Sequence, residues 1–226
     1  MRVIFERKDM LPNEWEYRQR ICQIGQRLYS RGYVAGSSGN ISVRLAVGKY
    51  LCTPTLISKG FMVPDDIALV DDAGEQISGR RQRTSEVFMH LEIYHELPEV
   101  QAVVHAHPPY TTAFAITGED LPIDILPEIE IFLGRVPIAP YATPGTKELA
   151  RSIVPYLHDG ANTIILANHG VVACSDDLER AYFQIEMLEH YCQVLLIAKQ
   201  IGDVRQIPPQ KIAELMKIRE GLRTQG

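Results

Sequence analysis

Cysteine is scarce. The four residues, Cys22, Cys52, Cys174 and Cys192, lie far apart, and no two form a C-x-x-C pair. That excludes a zinc ribbon and a thioredoxin-type motif, and scattered thiols point to a reduced, cytoplasmic protein in which each Cys is a small buried apolar residue. Positive charge is not in excess either: the formal net charge is −5, so a basic face for nucleic acid is not expected. No apolar run approaches the ~20 residues that a membrane span needs. The opening MRVIFERKDM lacks the apolar stretch and small-residue cleavage site of a secretory leader. Low-complexity tracts, internal repeats and linkers are absent as well. What remains is ordinary: 226 residues, 46% hydrophobic and 23% charged. This profile predicts one soluble globular domain over residues 1–226.

The pattern of apolar positions predicts interspersed helices and strands, hence an α/β fold. A first helix is expected over residues 12–31, from Pro12-Asn13 to Arg31-Gly32. Short strands follow at Asn40–Arg44, Tyr50–Thr53, Ile67–Val70 and Glu75–Ile77, the last two joined by the turn Asp71-Asp72-Ala73-Gly74. Thr84 or Ser85 can cap a second helix running to about Leu97. Gln101–His105 reads as a buried strand, Tyr110–Ile116 as a helix, and Ile129–Leu133 and Val136–Ala139 as short strands. Thr146 caps a third major helix to about His158. Thr163–Ala167 and Gly170–Cys174 are strands, broken at Asn168-His169-Gly170. A long helix covers Asp177–Ile201, with core residues Tyr182, Ile185, Leu188, Tyr191 and Leu195 at three-to-four-residue spacing, and a last helix runs from Pro208 to about Gly221. The final ~5 residues are expected to be mobile.

Three of the 7 His occupy unusual settings. His105 and His107 lie two apart at the end of an apolar strand, so both rings face one side. His169 follows another apolar strand and precedes Gly170, where the missing Cβ permits close approach. Three imidazoles suit a zinc-like divalent ion with a further position for a carboxylate, water or substrate oxygen. By contrast His90, His95, His158 and His190 read as surface or helix-end residues. Glu86 lies where the helix dipole favours a carboxylate, which is ordinary helix-start chemistry. The small-polar segments Ser37-Ser38-Gly39-Asn40, Thr53-Pro54-Thr55 and Thr84-Ser85 offer hydroxyls and backbone N–H groups suited to phosphate. Lys59 reads as a solvated lysine.

Together these segments resemble the class II aldolase/adducin family. The resemblance rests on Ser38-Gly-Asn-Ile-Ser-Val-Arg44, Thr53-Pro-Thr55, Thr84-Ser-Glu86, Val103-Val-His-Ala-His-Pro108, Ala139-Pro-Tyr-Ala-Thr143 with Gly145-Thr146, and Asn168-His-Gly170. They span about residues 12 to 200, and within the family they resemble the L-fuculose-1-phosphate aldolase type. The resemblance implies a three-layer α/β/α fold around a mostly antiparallel sheet. It implies one zinc per subunit on His105, His107 and His169, with Glu86 as a further ligand and as the catalytic acid/base. It assigns substrate phosphate to Gly39, Asn40, Thr55, Thr84 and Ser85. It further implies a homotetramer, and cleavage of a phosphorylated ketose into dihydroxyacetone phosphate and a short aldehyde such as lactaldehyde, with zinc polarising the carbonyl and no lysine Schiff base required.

The sequence departs from the fuculose-phosphate aldolase pattern at three places. Leu56 follows Thr-Pro-Thr where some members have glycine, so the loop is expected to bend differently. Leu126, followed by Pro127 and Glu128, stands where that type has an aldehyde-side tyrosine, and Ile218-Arg-Glu-Gly-Leu222 lacks the tyrosine of its C-terminal tail. Glu128 or Glu130 is the candidate replacement. Sister activities on the same scaffold are the alternatives: decarboxylation of a phosphorylated oxo-sugar acid, epimerisation of a pentulose phosphate, or dehydration of a thioribulose phosphate. An epimerase would carry Asp at the position of Glu86. A non-catalytic adducin-like scaffold has no need of the four metal-site residues.

Overall fold

The structure, a computed structural model, describes residues 10–223. Eight strands join in one sheet: β1 (Asn40–Ala46), β2 (Lys49–Cys52), β3 (Ala68–Val70), β4 (Gln76–Ser78), β5 (Ala102–Ala106), β6 (Ile138–Ala139), β7 (Thr163–Leu166) and β8 (Gly170–Ser175). Their spatial order is β4-β3-β2-β1-β5-β8-β7-β6. All neighbours pair antiparallel except β6 with β7. β5 and β7 are buried at every position. That is why they read as unbroken apolar runs: a central strand covered on both faces has no solvent side to mark with polar residues.

Helices cover the two faces. On one side α1 (Glu14–Ser30), α3 (Pro109–Thr117) and α7 (Leu178–Ile201) bring Ile21, Leu28, Phe114, Ile185 and Leu188 against Ile41, Val43 and Val104. On the other, α2 (Val87–Glu96), α5 (Lys147–Ser152) and α6 (Val154–His158) bring Val87, Leu91, Leu149 and Leu157 against Cys52, Val103 and Ile164. The architecture is therefore the expected α/β/α sandwich around a mostly antiparallel sheet. Two more helices, α4 (Pro127–Phe132) and α8 (Pro209–Arg223), pack on each other. Tyr182, Ile185, Leu188, Tyr191 and Leu195 of α7 are all buried. Among the described residues no helix is long and apolar enough to cross a membrane.

Several boundaries differ from expectation. The run Ile129–Leu133 is not a strand but lies in and just after α4. Its alternating Glu-Ile-Glu-Ile mimics a two-residue period. Yet Pro127 sits at the first helical turn and Glu128 and Glu130 accept the favourable end of the helix dipole. Ile129 and Leu133, four apart, are the pair that reaches the core. The helix expected from Thr146 to His158 is two helices meeting at Ile153, with Pro155 opening the second. Thr146 does cap the first, accepting from the Leu149 amide. Neither Thr84 nor Ser85 caps α2: the N-cap is Glu86, with no side-chain cap bond. Cys52, Cys174 and Cys192 are buried free thiols, whereas Cys22 is half-buried. α8 reaches Arg223, so of the five final residues expected to be mobile the last three lie outside the described residues. So do residues 1–9 of the opening segment read for a leader.

One long-range contact sets the segment after β5. Glu189 of α7 is buried and accepts from the Tyr110 amide at 2.9 Å and from the Thr111 amide and hydroxyl, both at 2.8 Å. A carboxylate on the open N–H groups of α3 satisfies donors that the helix itself cannot. It anchors the chain three and four residues beyond His107.

Candidate metal centre and active site

His105 lies in β5 and is fully buried. Its Nδ1 donates to the Val171 carbonyl of β8 at 2.9 Å, because a carbonyl oxygen only accepts. The neutral ring then carries a bare lone pair on Nε2. His107 follows β5 directly, and His169 sits in the turn between β7 and β8. That turn is tight: Asn168 has φ 56°, and a Cβ on Gly170 would stand 2.5 Å from the Ala106 carbonyl oxygen. Glycine is thus required for β8 to approach the end of β5.

The three rings face one another with centroids 4.7–4.9 Å apart. The Nε2 atoms of His105 and His107 are 2.9 Å apart. One candidate ligand atom from each of the three rings falls within 4.8 Å of the other two. Glu86, only 7% exposed, closes the group. Its Oε2 lies 3.3 Å from His105 Nε2 and its Oε1 3.4 Å from His169 Nε2. Oε1 is buried without a hydrogen-bond partner. An uncompensated carboxylate oxygen facing imidazole nitrogens is costly unless a cation serves it.

Electrostatics favour ligation. Burial holds His105 well below its ordinary pKa, helped by the neighbouring His169 ring. Burial, with His105 and His169 alongside, brings His107 down to about 3. Burial lowers His169 too, against the pull of Glu86. Neutral imidazole is the form that binds metal. The donor set of nitrogen and carboxylate oxygen at convergent positions therefore fits a zinc-like ion.

The other residues singled out by sequence take distinct places. Gly39 (φ 72°) lies where a Cβ would stand 2.9 Å from the His105 carbonyl oxygen, so the loop before β1 passes directly over the histidine strand. Thr84 is buried and its amide donates to the Thr53 carbonyl, while the Thr55 amide donates to the Gln82 carbonyl. The two hydroxyl-rich loops are thus stitched together beside Glu86, with Thr55 half-buried and Ser85 exposed. Leu56 has φ 55° and is 85% exposed. The bend is hence a left-handed one that leucine adopts under strain. Glu128 is exposed, and Glu130 accepts from the Asp124 amide at 2.6 Å. Glu130 thus stays within its own helix start.

Two readings need correction, and one gains a new role. Lys59 is not solvated. It is 1% exposed, and its Nζ donates to the carbonyls of Ser37 at 3.0 Å and Ile57 at 2.8 Å. Burial lowers its pKa to about 8 against the opposing charge of Glu86. His90 is not on a solvated face either. It is 1% exposed, because Glu86, His90 and Tyr94 recur every four residues and so share the inward face of α2. Asn40 is engaged at both ends of its amide. Nδ2 donates to Glu86 Oε2 at 2.6 Å, and Oδ1 meets His90 Nε2. His90 Nδ1 in turn lies 2.7 Å from Ser42 Oγ, which is 2.8 Å from the Tyr94 hydroxyl. Ser42, His90, Tyr94 and Lys59 were missed because no local run marks them. The available signal was N-x-S opening a strand against E-x3-H-x3-Y opening a helix.

Comparisons with known proteins agree with this geometry. The family described as Class II Aldolase and Adducin N-terminal domain matches residues 19–196. An L-fuculose phosphate aldolase of Methanococcus vannielii is 41% identical over 77% of this chain and 91% of its own. A 3-oxo-tetronate 4-phosphate decarboxylase of Escherichia coli K12 is 32% identical over 92% of this chain and 98% of its own. The crystal structure of YgbL from Escherichia coli, whose description leaves its activity open between aldolase, epimerase and decarboxylase, superposes with a TM-score of 0.82. It is 33% identical, over 89% of this chain and 98% of that one. With histidines, glutamate and sheet arranged as described, the chain belongs to the class II aldolase and adducin family and is an enzyme of the aldolase type.

Proposed function

We propose that the protein is a zinc-dependent lyase cleaving a phosphorylated ketose, L-fuculose 1-phosphate or a related deoxyketose 1-phosphate, into dihydroxyacetone phosphate and a short aldehyde such as lactaldehyde. One observation carries this reading. Three neutral rings, His105, His107 and His169, converge beside a buried Glu86 whose Oε1 has no partner. Zinc held there would polarise the substrate carbonyl and stabilise the negative charge left when the adjacent carbon–carbon bond breaks.

The chain's own residues do the rest. His105 is held by Val171 in the tautomer that presents Nε2. In cleavage the aldehyde-side hydroxyl loses its proton to water as the bond breaks, and Glu86 Oε1 delivers a proton to the carbon left nucleophilic; in the reverse direction it takes that proton. Gly39, Thr55, Thr84 and Ser85 lie on the loops that would hold the phosphate through N–H and hydroxyl donors. Burial of His105 and Glu86 keeps bulk water from the charged centre. One catalytic domain, a homotetrameric assembly and a cytoplasmic setting belong to the same reading.

Decarboxylation of a phosphorylated 3-oxo acid is the second reading. The Escherichia coli decarboxylase, 32% identical, aligns over nearly its whole length, and loss of carbon dioxide leaves the same kind of charge beside a carbonyl. The test is product analysis with the zinc-loaded protein. Release of dihydroxyacetone phosphate and an aldehyde from a panel of ketose 1-phosphates supports the first reading. Carbon dioxide from a 4-phosphorylated 3-oxo acid supports the second. Turnover of neither substrate class sinks both.

A further inference from the structure

Glu86, the N-cap of α2, His90 in its first half and Tyr94 in its last turn lie at i, i+4 and i+8, and Asn40 and Ser42 at i and i+2 along β1. Four helical residues rise about 6 Å and two strand residues about 6.6 Å. The two repeats nearly match, so the side chains interleave like rungs: Tyr94, Ser42, His90, Asn40, Glu86. All five are buried, between 1% and 7% exposed.

We propose that Tyr94, Ser42, His90 and Asn40 form a one-way hydrogen-bond chain that positions Glu86, holding Oε2 and leaving Oε1 as the working oxygen. The proposal rests on the lyase reading for what Glu86 does, but not for the chain itself.

The direction follows from donor chemistry. A carboxylate oxygen accepts, so the Asn40 group facing Oε2 at 2.6 Å is its NH2. Asn40 then presents its oxygen to His90, and His90 Nε2 must carry the proton. A neutral ring with Nε2–H has a bare Nδ1, which accepts from the Ser42 hydroxyl at 2.7 Å. Ser42 has spent its only proton, so its oxygen accepts from the Tyr94 hydroxyl at 2.8 Å. Reversing any link would set two acceptors or two donors face to face. The far end is itself held. Tyr94 stacks on Tyr50 with centroids 4.9 Å apart, and the Arg44 guanidinium lies 5.1 Å from its ring centre. Glu86 therefore receives one strong donor on one oxygen, which fixes its rotation and aims Oε1 toward His169.

Three variants test this. His90→Leu breaks the chain at its middle, Tyr94→Phe removes its first donor, and His90→Gln keeps a donor toward Asn40 with an acceptor toward Ser42. The positioning role predicts that His90→Leu lowers kcat by about 10²-fold, the cost of a misplaced reacting group. KM and bound zinc should stay at wild-type levels, His90→Gln should recover most of the rate, and Tyr94→Phe should fall between. Unchanged kcat in folded, zinc-loaded His90→Leu, or no rescue by glutamine, overturns it. A second readout needs no substrate. In histidine-labelled protein, 15N spectra should show the signal lost in His90→Gln as a neutral ring with a proton on Nε2 and none on Nδ1. The opposite tautomer, or a charged ring at neutral pH, overturns the chain even if turnover is found. The expected tautomer without any turnover would keep the chain and sink the lyase reading alone.

Discussion

Gly170 lies directly beneath His107: a Cβ at position 170 would stand 2.6 Å from His107 Cδ2. The close approach of β8 to the end of β5 thus sets the position of one candidate ligand. Gly170→Ala should push β8 away from the end of β5, displacing His107 and lowering stability, and weaken divalent metal binding by about 10- to 100-fold, the usual cost of disturbing a ligand's support. Competitive chelator titration measures this. Wild-type affinity in the variant would show that His107 does not depend on this contact.

Burial lowers the pKa of His90 from 6.5 to about 4, against the pull of Glu86. Above the unfolded value the ring is neutral in both states and adds no pH dependence. As the pH falls below it, the unfolded chain takes a proton that the folded chain refuses, and stability is lost until the folded value is reached. Each pH unit in that window is about 1.4 kcal/mol. Urea unfolding of the metal-stripped protein should therefore lose about 2 kcal/mol more between pH 7.5 and 5 than His90→Gln does. Parallel curves for the two proteins would contradict this placement of the ring.

Lys59 ties the Ser37 and Ile57 carbonyls, one on each side of the loops that approach Glu86. Charge-assisted bonds of this kind carry about 1.5–3 kcal/mol each. Lys59→Met should loosen the Ser37–Asn40 loop and raise KM for a phosphorylated substrate by about 10-fold or more, with zinc content unchanged. Steady-state kinetics beside metal analysis decide it, and an unaltered KM would refute it.

Leu56 carries a left-handed backbone and an exposed side chain. Its strain costs about 1–2 kcal/mol, and little packing offsets it. Leu56→Gly should raise stability by about 1 kcal/mol after the entropy of glycine is counted. A lower denaturation midpoint for the variant would mean that the leucine makes contacts worth more than its strain.

The apolar framework was legible because burial on both faces of β5 and β7 leaves continuous aliphatic runs, and α7 advertises its core face through Tyr182, Ile185, Leu188 and Leu195. The histidine cluster was legible because His105, His107 and His169 stand at ends of such runs. The fate of Ile129–Leu133 was not, since Glu-Ile-Glu-Ile satisfies a strand period while Pro127 and two carboxylates start a helix. His90 and Lys59 were misplaced for a related reason. A polar side chain reads as solvated until its partners are known, and those partners come from β1 and from the Ser37 and Ile57 carbonyls. Asn40 shows the same limit: its neighbours suggest an anion loop, whereas its amide joins two side chains 46 and 50 residues away.

His105 and His169 meet because β5 and β8 pair along Ala102–Ala106 and Val171–Ser175, a juncture in the middle of the sheet between segments remote in the chain. Neither ring finds the other until that seam has zipped. A cation seated between them would act as a latch across the seam, so chelation should speed unfolding of the whole sandwich rather than fray its margins.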